Sequence, residues 1–220
     1  MSNTKIISNS IVFIDDTFDK IKLPQQNQQF VINNPFDELA NANFLKMLVK
    51  NVLGEEGNFK YDISKSNPTQ KTAFNFGDLN FGHSPFPPKF SIEIKDDRND
   101  KTRSIATYIL DNVENLGDKI KAVGVNYAFF LPDDKKSVKD SLLKDSISSE
   151  FDGMSIALSS NIDDNTTLNL RVADAIIEGE KGFYCDANFN NNINEDSGSI
   201  EEIIKKDFLE IARKKINKIF

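Results

Sequence analysis

From Phe183 to Asn190 the chain alternates without a fault, Phe183, Cys185, Ala187 and Phe189 against Tyr184, Asp186, Asn188 and Asn190. A period of two belongs to a β-strand with one dry and one wet face. It also fixes register, because a slip of one residue would turn the whole apolar set to solvent. The same alternation in "KFSIEIK" predicts Phe90, Ile92 and Ile94 inward, with Ser91, Glu93 and Lys95 outward. In "KIKAVGVNYAFFL" (119–131) it puts Val123, Val125, Tyr127 and Phe129 on one face. "MSIALSS", "TTLNLRVADAII" and "KGFYCDANFN" follow one another through "NIDDN" and "EGEKG", connections of hairpin length and chemistry, and predict a three-strand meander. Nearer the N-terminus "IVFI" (11–14), "NFKYDI" and "TAFNFGDLNFG" read as strands. "HSPFPP" reads as a turn or extended linker, because Pro85, Pro87 and Pro88 cannot donate to a ladder.

Helical spacing interrupts these strands. Asn34 as cap, Pro35 at the first helical position and Asp37 and Glu38 in the first turn predict a helix that carries Phe36, Leu39, Ala40, Leu45, Leu48, Val49 and Val52 and stops at Gly54. Ile105, Tyr108, Ile109, Val113 and Leu116 mark a second helix, ending at Gly117. Ser137 caps a third, through about residue 148. Ser199 and Glu202 have capping-box spacing ahead of a terminal helix, whose stripe is Ile200, Ile203, Ile204, Phe208, Ile211 and Ile219. Arg213, Lys214, Lys215 and Lys218 make its exposed side basic, which complements the negative end of the helix dipole. The expected fold is α+β, an antiparallel sheet with helices mainly on one face. It forms a single domain over 1–220, with an N-terminal helix and strands through 89 and the sheet, meander and terminal helix in 90–220.

Eighteen phenylalanines and no tryptophan supply a large aromatic core. A net charge of -7 repels nucleic acid. The single cysteine, Cys185, cannot form an internal disulfide, which implies a reducing compartment. The short apolar stretch near the N-terminus runs into Asp15 and Asp16, unlike a signal peptide or a membrane span, so a cytoplasmic protein is expected.

Four constellations bear on chemistry. Asp186, Asn188 and Asn190 fill the first three ligand positions of a calcium loop. However, Asn191 stands where that loop needs Gly and Ser197 where it needs Glu, and strand alternation spreads the candidates about 6.6–6.8 Å apart. No metal site or cofactor is expected. Asp78, Glu93 and Lys95 have the order of a Mg²⁺-dependent nuclease of the restriction-endonuclease type, in which two carboxylates hold the ion and the lysine orients the attacking water. Against that, Glu-x-Lys on the solvated side of a strand is common. His83 reads as a loop residue, and Cys185 as an inert buried thiol. No Walker A, GxGxxG, GxSxG or HExxH sequence occurs. Finally, Phe74, Phe76, Phe81 and Phe86 crowd a stretch punctuated by Gly and Pro. They read either as a plug at the end of the sheet or as an aromatic groove for a peptide or partner subunit.

The second half, roughly 90–220, resembles an uncharacterised prokaryotic family. Gly124, Val125 and Tyr127 match its Ile/Val-Gly-Leu/Val-x-Tyr strand, Asp186 its late strand, and Ile216, Asn217, Ile219 and Phe220 its terminal helix. That layout is also similar to the SecB export-chaperone fold, a four-stranded antiparallel sheet backed by helices. The resemblance implies a non-enzymatic, chaperone-like or scaffolding protein that binds a protein or peptide partner, as a homo-oligomer or as a subunit of a complex. It supplies no catalytic residues, and the region before residue 90 departs from it.

Overall fold

The computed structural model describes residues 4–15, 34–54, 60–65, 70–85, 88–95, 99–133, 137–143 and 153–220. Among the described residues nine strands form one sheet: β1 (Lys5–Ile14), β2 (Lys60–Lys65), β3 (Gln70–Phe76), β4 (Leu79–Pro85), β5 (Pro88–Ile94), β6 (Ala122–Pro132), β7 (Ser155–Asn161), β8 (Thr166–Ile177) and β9 (Glu180–Asn192). Their order is β2-β3-β4-β5-β1-β6-β9-β8-β7, and every neighbouring pair is antiparallel. The helices are α1 (Ala42–Leu53), α2 (Asn99–Asn112), α3 (Leu116–Lys119), α4 (Val138–Leu142), α5 (Ile200–Lys205) and α6 (Phe208–Ile219). The class is α+β, as alternation and helical spacing predict, and the sheet is wider than the four strands that the resemblance implies.

Register turns the alternation of single strands into rows across the whole sheet. On the inner face one row runs Phe74, Phe81, Ile92, Ile11, Val125, Phe189, Leu168, Ser160, each directly opposite the next. Every member but Ser160 is buried. On the outer face a row one position away runs Asn75, Asn80, Glu93, Ser10, Asn126, Asn188, Asn169, Ser159. Asn126 donates to the Ser10 hydroxyl at 2.9 Å. One face is therefore a hydrocarbon and aromatic wall, and the other a ladder of small polar side chains.

Helices cover the inner wall. Leu45, Leu48 and Val49 of α1, Ile105, Ala106 and Ile109 of α2, Ile203 and Ile204 of α5, and Phe208, Ala212 and Ile216 of α6 join one core with the inward strand residues. Phe208 meets Phe189 with ring centroids 4.6 Å apart, and Phe220 stacks on Phe183 at 4.8 Å. The polar groups caught in this core are paired, as burial demands. Thr102 of α2 donates to Asn9 of β1. Asn191 accepts from Thr166 at 3.0 Å and donates to the Val123 carbonyl at 2.9 Å.

Several expectations need correction. The first helix begins at Ala42 rather than at Pro35, because Asn41 accepts from the amides of Asn43 and Phe44. Asn34 takes only the Phe36 amide and opens a turn over 35–40. Gly54 does end α1, in the left-handed conformation at φ 67°. β1 extends well beyond "IVFI", to ten residues. Leu116 starts the short α3 instead of closing α2, after Asn115 at φ 56°. His83 is no loop residue: β4 continues through Pro85, and Pro88 opens β5. β9 likewise runs on to Asn192, two residues past "KGFYCDANFN". The terminal helix breaks at Lys206 and Asp207, because the Asp207 carboxylate caps α6 through the Glu210 amide while Arg103 takes the Lys206 carbonyl at 3.0 Å. Ile219 is 37% exposed and lies outside the buried stripe, whose place at that end Ala212 and Ile216 take. Residues 25–32, 58–59, 86–87, 96–98 and 144–148, on which parts of the reading fall, lie outside the described residues.

Candidate binding groove at the sheet edge

The residues singled out by sequence disperse over the sheet. Phe74 and Phe81 lie opposite each other on β3 and β4, 4% and 0% exposed, and Phe81 stacks on Phe90 at 6.0 Å. Phe76 is partly buried and meets Phe81 edge-on at 5.9 Å. These rings build the inner wall and offer little surface to a partner. Phe86 lies outside the described residues.

Asp78 sits in the β3–β4 turn, and its carbonyl accepts from the Lys95 amide at 3.0 Å, so these two residues meet through backbone. Glu93 lies two residues before Lys95, in the outer polar row between Asn80 and Ser10. Its alternation with Ile92 and Ile94 is that of the sheet face.

His83 lies on the inner side of β4, 9% exposed, opposite Phe90 and Thr72. Its Nε2 is 3.1 Å from the Asn34 amide nitrogen and 3.1 Å from an Asp37 carboxylate oxygen. Cys185 is buried between Phe129 and Val172, and burial pushes its thiol up to about 12. Asp186 accepts from Asn188 at 3.3 Å along the wet face of β9. The loop beyond β9 contributes Asn194 and Asp196 to a polar hollow with Asp163 and Asp164. There Asn194 donates to Asn165 at 2.7 Å and Asp163 lies 3.7 Å from Lys206. Among the described residues no group of three or more His, Cys, Asp or Glu is placed to hold a metal ion. No described helix is long and apolar enough to cross a membrane.

The apolar surface that stands open lies elsewhere. β7 is the last strand of the sheet, and among the described residues nothing pairs with its outer edge. Its inward side presents Ile156, Leu158 and Ser160 opposite Val172, Leu170 and Leu168 of β8. α6 crosses beside them and leaves a cavity of about 260 Å³ floored by Leu158, Leu168 and Leu170 and walled by Lys215, Lys218 and Ile219. Leu158 is 40% exposed, in a protein whose other inward leucines on this row are buried. Lys215 leans over the groove and donates to the Ser160 hydroxyl at 3.1 Å.

Electrostatics set the groove apart from the rest of α6. Arg213 and Lys214 both face Glu210, at 3.4 and 3.8 Å. Among the described residues, Lys215 and Lys218 have no carboxylate partner. An uncompensated cationic rim on an acidic chain is a local inversion of the overall field. Sequence reasoning placed these lysines on an exposed helix face and assigned Ile219 to the core. What it could not supply was their juxtaposition with Leu158. No protein-family model matches the chain, and no curated protein is similar to it at a significant level.

Proposed function

We propose that this protein is a non-enzymatic protein-binding module, chaperone-like or scaffolding in role, that acts in the cytoplasm by contact with a protein or peptide partner. The observation that carries the reading is the apolar, lysine-rimmed groove beside the outer edge of β7, with which no described strand pairs. An open strand edge supplies backbone donors and acceptors for affinity, and an adjoining apolar groove supplies side-chain pockets for selectivity. The SecB-like resemblance supports the same class, because proteins of that shape bind other polypeptides through strand and helix faces.

The competing reading is a Mg²⁺-dependent nuclease using Asp78, Glu93 and Lys95, of which Asp78 and Lys95 touch through backbone while Glu93 lies opposite Asn80. Incubation with DNA or RNA and Mg²⁺ or Mn²⁺, beside a Glu93→Ala variant, separates the two. The binding module leaves nucleic acid intact. Cleavage that disappears in the variant sinks it. Light scattering then measures whether the chain is an oligomer or enters a stable complex, and a strict monomer that engages no polypeptide counts against the proposal.

A further inference from the structure

We infer that the β7 groove takes an extended, acidic segment of a different protein, added to the sheet as a tenth strand whose inward side chains include apolar ones on Leu158 and Ile219 and carboxylates on Lys215 and Lys218. The inference rests on the protein-binding reading above and names the partner's chemistry.

The two edges of the sheet are built in opposite ways. Proteins protect open edges with charge, proline, bulges or very short strands. β2, at one edge, carries Lys60, Asp62 and Lys65 within six residues. β7, at the other, reads Ser-Ile-Ala-Leu-Ser-Ser-Asn, seven residues with no charge and no proline. Its register with β8 has no irregularity from Ser155 to Asn161, so the outer edge is a regular template. A strand laid against it points every second side chain to the inner face, where the groove lies. The cavity of about 260 Å³ suits one or two aliphatic side chains rather than a helix.

Charge decides between a foreign segment and a second copy. Pairing of β7 with β7 about a two-fold axis would place both α6 helices on the same face of the joined sheet. Lys215 and Lys218 of each copy, which have no carboxylate partner among the described residues, would then flank one seam, and like charges in such an isologous contact repel. An extended segment carrying Glu or Asp two residues from an apolar residue, on the same face, gives those lysines carboxylate partners.

The test uses the full chain and two labelled ten-residue peptides in which every second residue is Ser and the positions between alternate Val with Glu in one and Val with Lys in the other, so that apolar and charged side chains share the face turned to the groove. Fluorescence anisotropy is expected to give saturable binding of the Glu peptide, weakened by salt, and at least about tenfold weaker binding of the Lys peptide. A Lys215→Glu, Lys218→Glu variant is expected to reverse that preference, so a folded protein reports on charge even where affinity is modest. Backbone amides of β7 are expected to gain exchange protection on Glu-peptide binding, which a helix seated in the groove would not cause. Equal affinity for the two peptides, no binding of either, or unchanged β7 protection overturns the inference. So does a dimer that Leu158→Asp converts to monomer, because the groove would then be a self-interface. In that last case the protein-binding reading survives, whereas Glu93-dependent nuclease activity removes that reading without bearing on the peptide measurements.

Discussion

Nε2 of His83 cannot serve both of its neighbours with one protonation state. The Asn34 carbonyl oxygen already accepts from the Phe36 amide, so its amide nitrogen faces the ring and requires a lone pair there. The Asp37 carboxylate on the other side requires a proton. Burial lowers the imidazole pKa below its ordinary 6.5, and the Asp37 charge only partly opposes that shift. A histidine held neutral in the native state charges first in the unfolded chain. Its contribution is therefore full above the unfolded value and falls as pH drops through the window between the unfolded and the lowered folded value. Urea midpoints measured from about pH 7.5 down to about 5 should thus fall more steeply for the native chain than for His83→Gln. Equal slopes would show that the ring titrates as it does in water. Cys185 allows a second check at this scale. With its thiol pushed up to about 12, iodoacetamide at neutral pH should label it about a thousandfold more slowly in the native chain than in urea. Comparable rates would place the sulfur at the surface. Alternation made the burial of Cys185 legible, since its strand neighbours are Phe183 and Ala187. His83 was not legible, because its environment depends on Asn34, forty-nine residues away.

At the scale of elements, Asp174 of β8 joins three segments that share no sequence pattern. One carboxylate oxygen accepts from the Val138 amide at 2.6 Å, and the other from Lys139 at 3.2 Å and Met154 at 3.0 Å. The carboxylate thus holds the first turn of α4 and the chain entering β7, so it helps to set the edge where the groove lies. Ser137 adds an ordinary cap through the Asp140 amide. Hydrogen bonds to a charged acceptor are worth more than neutral ones, so Asp174→Ala should cost about 2–3 kcal/mol, against about 1 kcal/mol for Ser137→Ala. Urea denaturation of both variants measures the difference, and similar losses would mean that Asp174 merely duplicates the cap. Elements with a strong period were readable before the structure: β5, β6, the meander and the capping box at Ser199 all fall where the pattern puts them. Their boundaries were readable only where one cap had no rival. Asn34 and Asn41 both have cap chemistry, and it is Asn41 whose side chain takes the first helical amides of α1, from Asn43 and Phe44. At Lys206 no glycine or proline announces the break, which depends on Asp207 and on Arg103 reaching over from α2.

For the whole molecule, the order of the sheet makes β1 the strand on which both halves depend. The earliest strand lies between β5 and β6, so it joins the β2–β5 hairpins to the β6–β9–β8–β7 layer. Its inward residues Ile11 and Phe13 face Ile92 and Phe90 on one side and Val125 and Val123 on the other. The groove is likewise a whole-molecule feature, made from residues near 158, 168 and 218 that only the fold brings together, and no local pattern could announce it. Phe13 has no exposed surface, and Phe13→Ala should cost about 3–5 kcal/mol by removing a ring from a wall that cannot collapse around the space. How that loss is distributed tests whether the chain behaves as one cooperative unit. If β1 couples the halves, native-state amide exchange should quicken in β4 and in β9 by the same free energy, since both would exchange through one global opening. If β4 loosened while β9 kept its protection, residues 122–192 would form a separate folding unit. The lysine-rimmed edge would then belong to a layer that holds its shape without β1.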